Sequence, residues 1–438
     1  MMLSRSIFLG LLICTVGAPT AGQEFRIDAE VSRIASQITE LRHRIHEHPE
    51  LGNREFETAQ LVVDYLSTLG FDDVRTGIAH TGVVAVLRGR QPGPVVAVRA
   101  DMDALPVTED TDLSFKSTVR TAYLGQEVGV MHACGHDVHT AVQLGVAAVL
   151  KALQQELHGT VVFLFQPSEE GPPPGEEGGA ALMLREGVFD ELRPEVVFGL
   201  HARAQLDVGK IEYTPGGALA AVDHFRITIK GEQAHGAAPH LSVDPVVMSA
   251  QVITALQTIR SRNLSPLAPS VITVGMVRGG ARFNIIPGTV LLEGTVRTYD
   301  PEVQDTVERR MREITDGITR AGGGSFELRY DRISPVVIND LALTAWVLPR
   351  LSSVVGADQI SKSDPWMAGE DFALFANEVP GFFFFLGTQK PGTMSGDHHS
   401  PTFRADDAAL SVGVRSMAHL VWSYLVGSRV QNPANETR

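Results

Sequence analysis

Three apolar runs in this sequence stop abruptly at groups that bind metals or move protons. That pattern limits the fold more than any other feature. Pro94 to Ala100 runs into Asp101 and Asp103; Thr160 to Gln166 runs into Glu169 and Glu170; Val196 to Leu200 ends at His201. Short continuous apolar runs suit strands buried on both faces, as in a parallel sheet covered by helices. In open sheets of that kind, ligands gather at the C-terminal edge of the strands. Three polar strand ends therefore point to one shared edge, and their convergence says more than any single residue. Taken alone, Asp101 and Asp103 also read as turn-forming aspartates.

Between the first two runs lies the densest group of chemistry-bearing side chains. His132, Cys134, His136, Asp137 and His139 fall within Met131 to Ala141, ahead of an apolar, helix-like run from Ala141 to Leu153. Gly135 permits a tight bend between Cys134 and His136. A thiolate with imidazoles suits zinc and its first-row neighbours rather than magnesium or calcium. The competing reading is an inert cysteine among scattered histidines. Glu169 and Glu170 leave a strand end, where one carboxylate can bind an ion and the other take a proton from water. A second pair, Glu176 and Glu177, sits in the Pro/Gly-rich loop Gly171 to Gly179, where charges are usually solvated.

The remaining elements fill in an α/β chain. Helices are expected over 26–48, stopped by Pro49, and over about 55–69, stopped by Gly70. His43, His46 and His48 close the first helix and read as solvated. From 221 the order changes to strand, helix, two strands, helix, strand, which suits a small inserted α+β (βαββαβ) unit. His235 and His240 lie there in a segment that also reads as a plain turn. After 333 a helix start is expected at Ala368 to Phe372. Four consecutive phenylalanines between Gly381 and Gly387 form another buried strand, and Asp397 to Pro401 is a loop with two histidines. The expected organisation is a signal at 1–22, a first part of a mixed, mostly parallel sheet flanked by helices at 23–220, and the α+β insertion at 221–333. The rest of the large domain follows at 334–427, with a tail at 428–438.

The 438 residues carry a formal charge of −14, which argues against a nucleic-acid partner and against adhesion to anionic membranes. Arg5, the apolar stretch Ile7 to Val16 and the small residues before Gln23 resemble a secretory signal, so the expected location is periplasmic or secreted. No later segment is apolar enough to remain in a bilayer. The chain has 2 cysteines, and loss of the signal removes Cys14. Cys134 then has no disulfide partner within the chain, and a metal is its best explanation.

Nine short stretches, taken in order, resemble the co-catalytic metallo-amidohydrolases. That family includes aminoacylases, hippurate hydrolases, plant auxin-conjugate hydrolases and related metallocarboxypeptidases. They are Arg99 to Pro106, Met131 to His139, Phe165 to Gly171, Gly199 to His201, His235 to His240, Asn284 to Gly288, Gly294 to Arg297, Gly369 to Phe372, and His399 to Pro401. The similarity extends from His43 to His399.

The resemblance implies metal ligands Cys134, His136, Glu170, His201 and His399, holding two divalent ions (Zn, Mn, Co or Ni) per subunit. It implies Glu169 as general base and Asp103 as the residue orienting a ligand histidine. It makes the insertion a lid and homodimerisation domain, with His235 stabilising the oxyanion in the partner subunit. Asn284, Arg297 and the backbone of Gly369 would hold the substrate carboxylate. The implied substrate is an N-acyl or N-aroyl amino acid. The alternatives are a dipeptidase or metallocarboxypeptidase of the same family acting on a short peptide, and an inactive metal- or ligand-binding relative in the cell envelope. The loop Gly171 to Gly179 is longer than the family's usual glycine-rich turn, and it is expected to border the acyl pocket.

Overall fold

The computed structural model describes residues 21–427. Residues 1–20 of the expected signal and the tail 428–438 lie outside the described residues.

The large sheet has eight strands. Their spatial order is Val74–Ile78, Gly82–Arg88, His158–Gln166, Gln91–Asp101, Val196–Asp207, Gly381–Gln389, Ile211–Tyr213 and Ile360–Lys362. The four central strands, His158–Gln166 through Gly381–Gln389, run parallel. Their residues alternate between two cores. Val96, Val98, Phe163, Phe165, Phe382 and Phe384 face one, while Ala97, Val162, Leu164, Phe383 and Phe385 face the other. The phenylalanine run is apolar throughout because both its faces are covered. Helices Ala21–Glu47, His136–Ala152 and Ala408–Val426 pack against each other on the first face. Gly179–Arg185 and Phe372–Glu378 cover the second.

One expected strand runs longer than the sequence suggests. Val196 does not stop at Leu200 but continues to Asp207. Its pairing with the Gln91–Asp101 strand ends at Gly199, whereas the neighbour Gly381–Gln389 stays bonded, with Phe385 opposite His201 and Gln389 opposite Asp207. His201 therefore sits where one neighbour has left the ladder and the other has not.

The second sheet has four antiparallel strands in the order Ser270–Gly279, Thr289–Thr298, Ala221–Lys230, Ser325–Ser334. Helices Pro245–Thr258 and Pro301–Ala321 pack on it around Phe225, Ile227, Leu256, Leu292 and Val307. Both helices begin at an aspartate, Asp244 or Asp300, whose carboxylate accepts backbone N–H groups of the first turn, and both have proline next. The observed order matches the strand–helix–strand–strand–helix–strand reading. No helix among the described residues is long and apolar enough to cross a membrane.

Candidate metal centre

The edge formed by the central parallel strands gathers the residues the sequence singled out. Gly135 precedes helix His136–Ala152 with φ of 95°, and a β-carbon there would lie 2.6 Å from the Ala202 methyl. Only glycine permits both the left-handed turn and the close approach. The turn puts Cys134 and His136 on either side of a small space. Cys134 Sγ lies 3.5 Å from His201 Nε2 and 3.3 Å from His399 Nε2. Glu170 Oε1 is 2.9 Å from His399 Nε2 and 4.0 Å from His136 Nε2. Cys134, His136, Glu170, His201 and His399, drawn from four separate segments, thus meet, and Glu169 stands beside them with Oε2 4.0 Å from His136 Nε2.

Each group is held from behind. Asp103 accepts the backbone N–H groups of Glu169 and Glu170 at 3.0 and 2.9 Å, and its Oδ1 lies 3.3 Å from His136 Nδ1. One carboxylate thus fixes both glutamates and leaves Nε2 of His136 facing the space. His201 directs Nδ1 to the Ala202 carbonyl at 2.7 Å, which frees its Nε2 in the same way. His139 is different. Its Nδ1 meets Asp101 at 2.6 Å and its Nε2 accepts the Ala202 N–H at 2.7 Å. With both nitrogens engaged it is a brace beside His201.

Electrostatics make the space a cation site. Burial, reinforced by Glu170, Glu169 and Asp101, pushes the Cys134 thiol well above its ordinary value. Burial raises Glu169 in the same direction, helped by Glu370, Glu170 and Asp371 and opposed by Arg99. Burial works against the charge on His136, but Asp101, Asp103 and Glu170 outweigh it and raise the group to about 10. Burial holds His201 well below its usual range. His136 Nε2 and Glu170 Oε1 are buried without a hydrogen-bond partner, although Glu170 Oε1 is close to His399. A sulfur, three imidazoles and a carboxylate with these unmatched atoms fit a first-row divalent ion or ion pair, whose charge reverses the local preference for protonated groups.

Behind Glu169 lies a network that sequence reading missed. Arg99, fully buried, reaches Asp101 at 2.8 Å, Glu370 at 2.9 Å and Asp371 at 3.0 Å. The Asp371 N–H donates to Glu169 Oε1 at 3.3 Å. The expected helix start near Ala368 thus serves to anchor Glu169, and its helix begins only at Phe372. A second correction concerns His46. It is buried rather than solvated, 2.9 Å from Asp137 and 3.3 Å from Glu109, while the adjoining Arg42 bonds Asp137 as well. His43 is half-buried, stacked on Phe115 and 2.8 Å from Asp407; His48 is exposed as expected. Glu176 is also tied down, by Asn53 and Arg54, so the loop it belongs to is fixed across its middle.

A cleft of about 630 Å³ opens on the cluster. Its walls include Cys134, Glu169, Glu170, His201 and His399, the loop residues Pro172 and Gly178, and, from the second sheet and its approach, Arg297 and Gly369. A β-carbon on Gly369 would lie 2.1 Å from Val222 and 3.2 Å from Arg297, so only glycine allows that approach. Arg297 is half-buried, and burial lowers its proton affinity, with Asp223 working the other way. His235 and Asn284 do not line this cleft. They adjoin each other, the Gly236 N–H bonding the Asn284 carbonyl at 2.9 Å, and His235 is exposed.

Comparison with known proteins places these features in context. Peptidase family M20/M25/M40 matches residues 97–423. N-acetyl-L-cysteine deacetylase of Bacillus subtilis is 39% identical over 87% of this chain and 86% of its own length. Thermostable carboxypeptidase 2 of Saccharolobus solfataricus is 36% identical over 90% of this chain and 96% of its own length. The crystal structure of the Bacillus subtilis YxeP protein, a dinuclear metal-binding peptidase of the M20 family, superposes with a TM-score of 0.76. It is 34% identical, covering 91% of this chain and 100% of that one.

Proposed function

The chain belongs to peptidase family M20/M25/M40, a metal-dependent hydrolase acting on amides, and from that premise we propose that it cleaves N-acyl amino acids into a carboxylic acid and a free amino acid. In this reading Cys134, His136, Glu170, His201 and His399 hold two first-row ions. Bound there, the ions supply Lewis acidity that polarises the carbonyl and brings the pKa of water toward about 7. Glu169 takes the proton from the attacking water and delivers it to the leaving nitrogen. The observation that carries the reading is the position of Glu169. It is next to the ligand set, pinned through Asp103 and Asp371, and surplus to what ion binding requires. Its surroundings raise its affinity for a proton, which suits a base. An inactive binding relative has no need of such a group.

Arg297 faces the cleft and can grip a carboxylate with two parallel hydrogen bonds, so a free α-carboxylate is the expected recognition element. Asn284 and the Gly369 backbone complete that grip, and His235 from a second subunit supplies the oxyanion donor. A homodimer through residues 221–333 is consistent with the exposed Phe283 and Leu267, 97% and 91% accessible, and with Ser270–Gly279 as an edge strand. We place the protein outside the cytoplasm on the strength of its first 22 residues. A carboxypeptidase reading uses the same Arg297 contact and is favoured by the Saccharolobus relative. A panel of N-acetyl and N-benzoyl amino acids, dipeptides and the matching carboxylate methyl esters, run on metal-reconstituted protein, separates the two. The proposal expects faster release from the N-acyl amino acids and loss of turnover on esterification; preferential dipeptide cleavage would replace it with the peptidase reading.

A further inference from the structure

The loop Asp397 to Pro401 brings two adjacent histidines to Cys134, and only His399 is accounted for as a ligand. The His399 N–H donates to the Ala133 carbonyl at 2.8 Å, latching the loop beside Cys134, and its φ of 63° is the left-handed turn that lets the two rings diverge. His398 Nδ1 lies 3.7 Å from Cys134 Sγ, within reach for an N–H donor to the larger sulfur atom. The far nitrogen, Nε2, accepts the Ala204 N–H at 3.3 Å. The ring is held between His201, Phe403 and Trp366, with centroids 5.3, 5.2 and 5.6 Å away.

His136 and His201 direct Nδ1 away from the cluster, to Asp103 and to the Ala202 carbonyl, and so present a bare Nε2 to an ion. His398 is wired the other way round. A backbone N–H can only donate, so Nε2 of His398 keeps its lone pair there, and the proton of the neutral ring sits on Nδ1, facing the sulfur. We infer that His398 is a positioning residue that donates a hydrogen bond to the metal-binding sulfur of Cys134 and is not itself a ligand. Glu169, Glu170 and Asp101 crowd negative charge around that sulfur. An N–H donor draws density from the thiolate, weakens its donation to the ions and leaves them more electrophilic toward a substrate carbonyl.

The inference rests on the proposal that Cys134 binds metal, and the test separates the two. The protein is loaded with cobalt, and the near-ultraviolet sulfur-to-cobalt band and the bound metal are measured for wild type, His398→Gln, His398→Phe and His398→Asn. Gln keeps an acceptor for Ala204 but offers nothing at the Nδ1 position; Asn offers an amide N–H there. The expected result is a shift to longer wavelength in Gln and Phe, a band near the wild-type position in Asn, and full metal stoichiometry in all. An unmoved band in Gln and Phe overturns the hydrogen bond alone, and loss of one metal equivalent makes His398 a ligand instead. Absence of any sulfur-to-cobalt band in wild type removes the inference together with the metal role of Cys134. The Gln and Asn variants serve if Phe fails to fold.

Discussion

The two sheets contribute to the cleft in opposite ways. The edge of the large sheet supplies groups held by a buried network: Asp103 holds Glu169, Glu170 and His136, and Arg99 holds Asp101, Glu370 and Asp371. The second sheet supplies the half-buried Arg297 to the cleft and leaves His235 exposed and Asn284 outside it. Such a division suits fixed chemistry on one side and substrate selection, completed on binding, on the other. A rigid network can hold a base to within a fraction of an ångström, which catalysis needs. A surface that must accept different side chains is better left adjustable.

Changes on the large-sheet side should be the most damaging. Glu169→Gln keeps the shape and the backbone contacts but removes the base, so kcat should fall about 10³-fold with metal content unchanged. Near-normal kcat would show that the proton moves elsewhere. His235→Ala should cost on the order of 10²-fold in kcat, the usual worth of one oxyanion donor. The sharper form of this test mixes His235→Ala with Glu169→Gln and exchanges subunits. Recovery of activity in the mixture means that His235 serves the partner's site, and its failure in proven heterodimers means that it does not. Arg297→Met should raise KM about tenfold or more and leave kcat nearer normal, because the carboxylate contact is made equally in ground and transition states. A kcat loss equal to that of Glu169→Gln would erase the division between the two sheets.

The smallest effect concerns stability. Burial disfavours the charge on His46, but Asp137 and Glu109 outweigh it and raise the group to about 9. The folded protein thus holds this proton more tightly than the unfolded chain. The stabilisation is complete below pH 6.5 and is lost as pH rises through about 9. Its size is on the order of 3 kcal/mol. Urea unfolding of wild type and His46→Gln between pH 6 and 9.5 should converge toward the alkaline end; parallel curves would deny His46 its charge.

Much of the large-sheet side was legible because its signals are local. Strand ends, a glycine between two ligands and a glutamate pair leaving a strand are all read within a few residues. The choice of Glu169 and Glu170 over Glu176 followed from the same logic. The supporting network was not legible. Arg99 and Asp371 are 272 positions apart, and nothing in either neighbourhood names the other. His46 looked solvated because its helix end is charged, yet His46 and Arg42 turn inward to Asp137, and His46 also reaches Glu109. The strand through His201 overran its expected end because a neighbour 180 or so residues later continues the ladder, which a local apolar count does not register.

The most direct test is an anomalous-scattering map from crystals of the zinc-loaded protein. The account predicts zinc peaks in the space bounded by Cys134, His136, Glu170, His201 and His399, with the Glu169 carboxylate uncoordinated beside them. Zinc bound elsewhere, a Cys134 sulfur outside coordinating distance, or Glu169 acting as a ligand would contradict it.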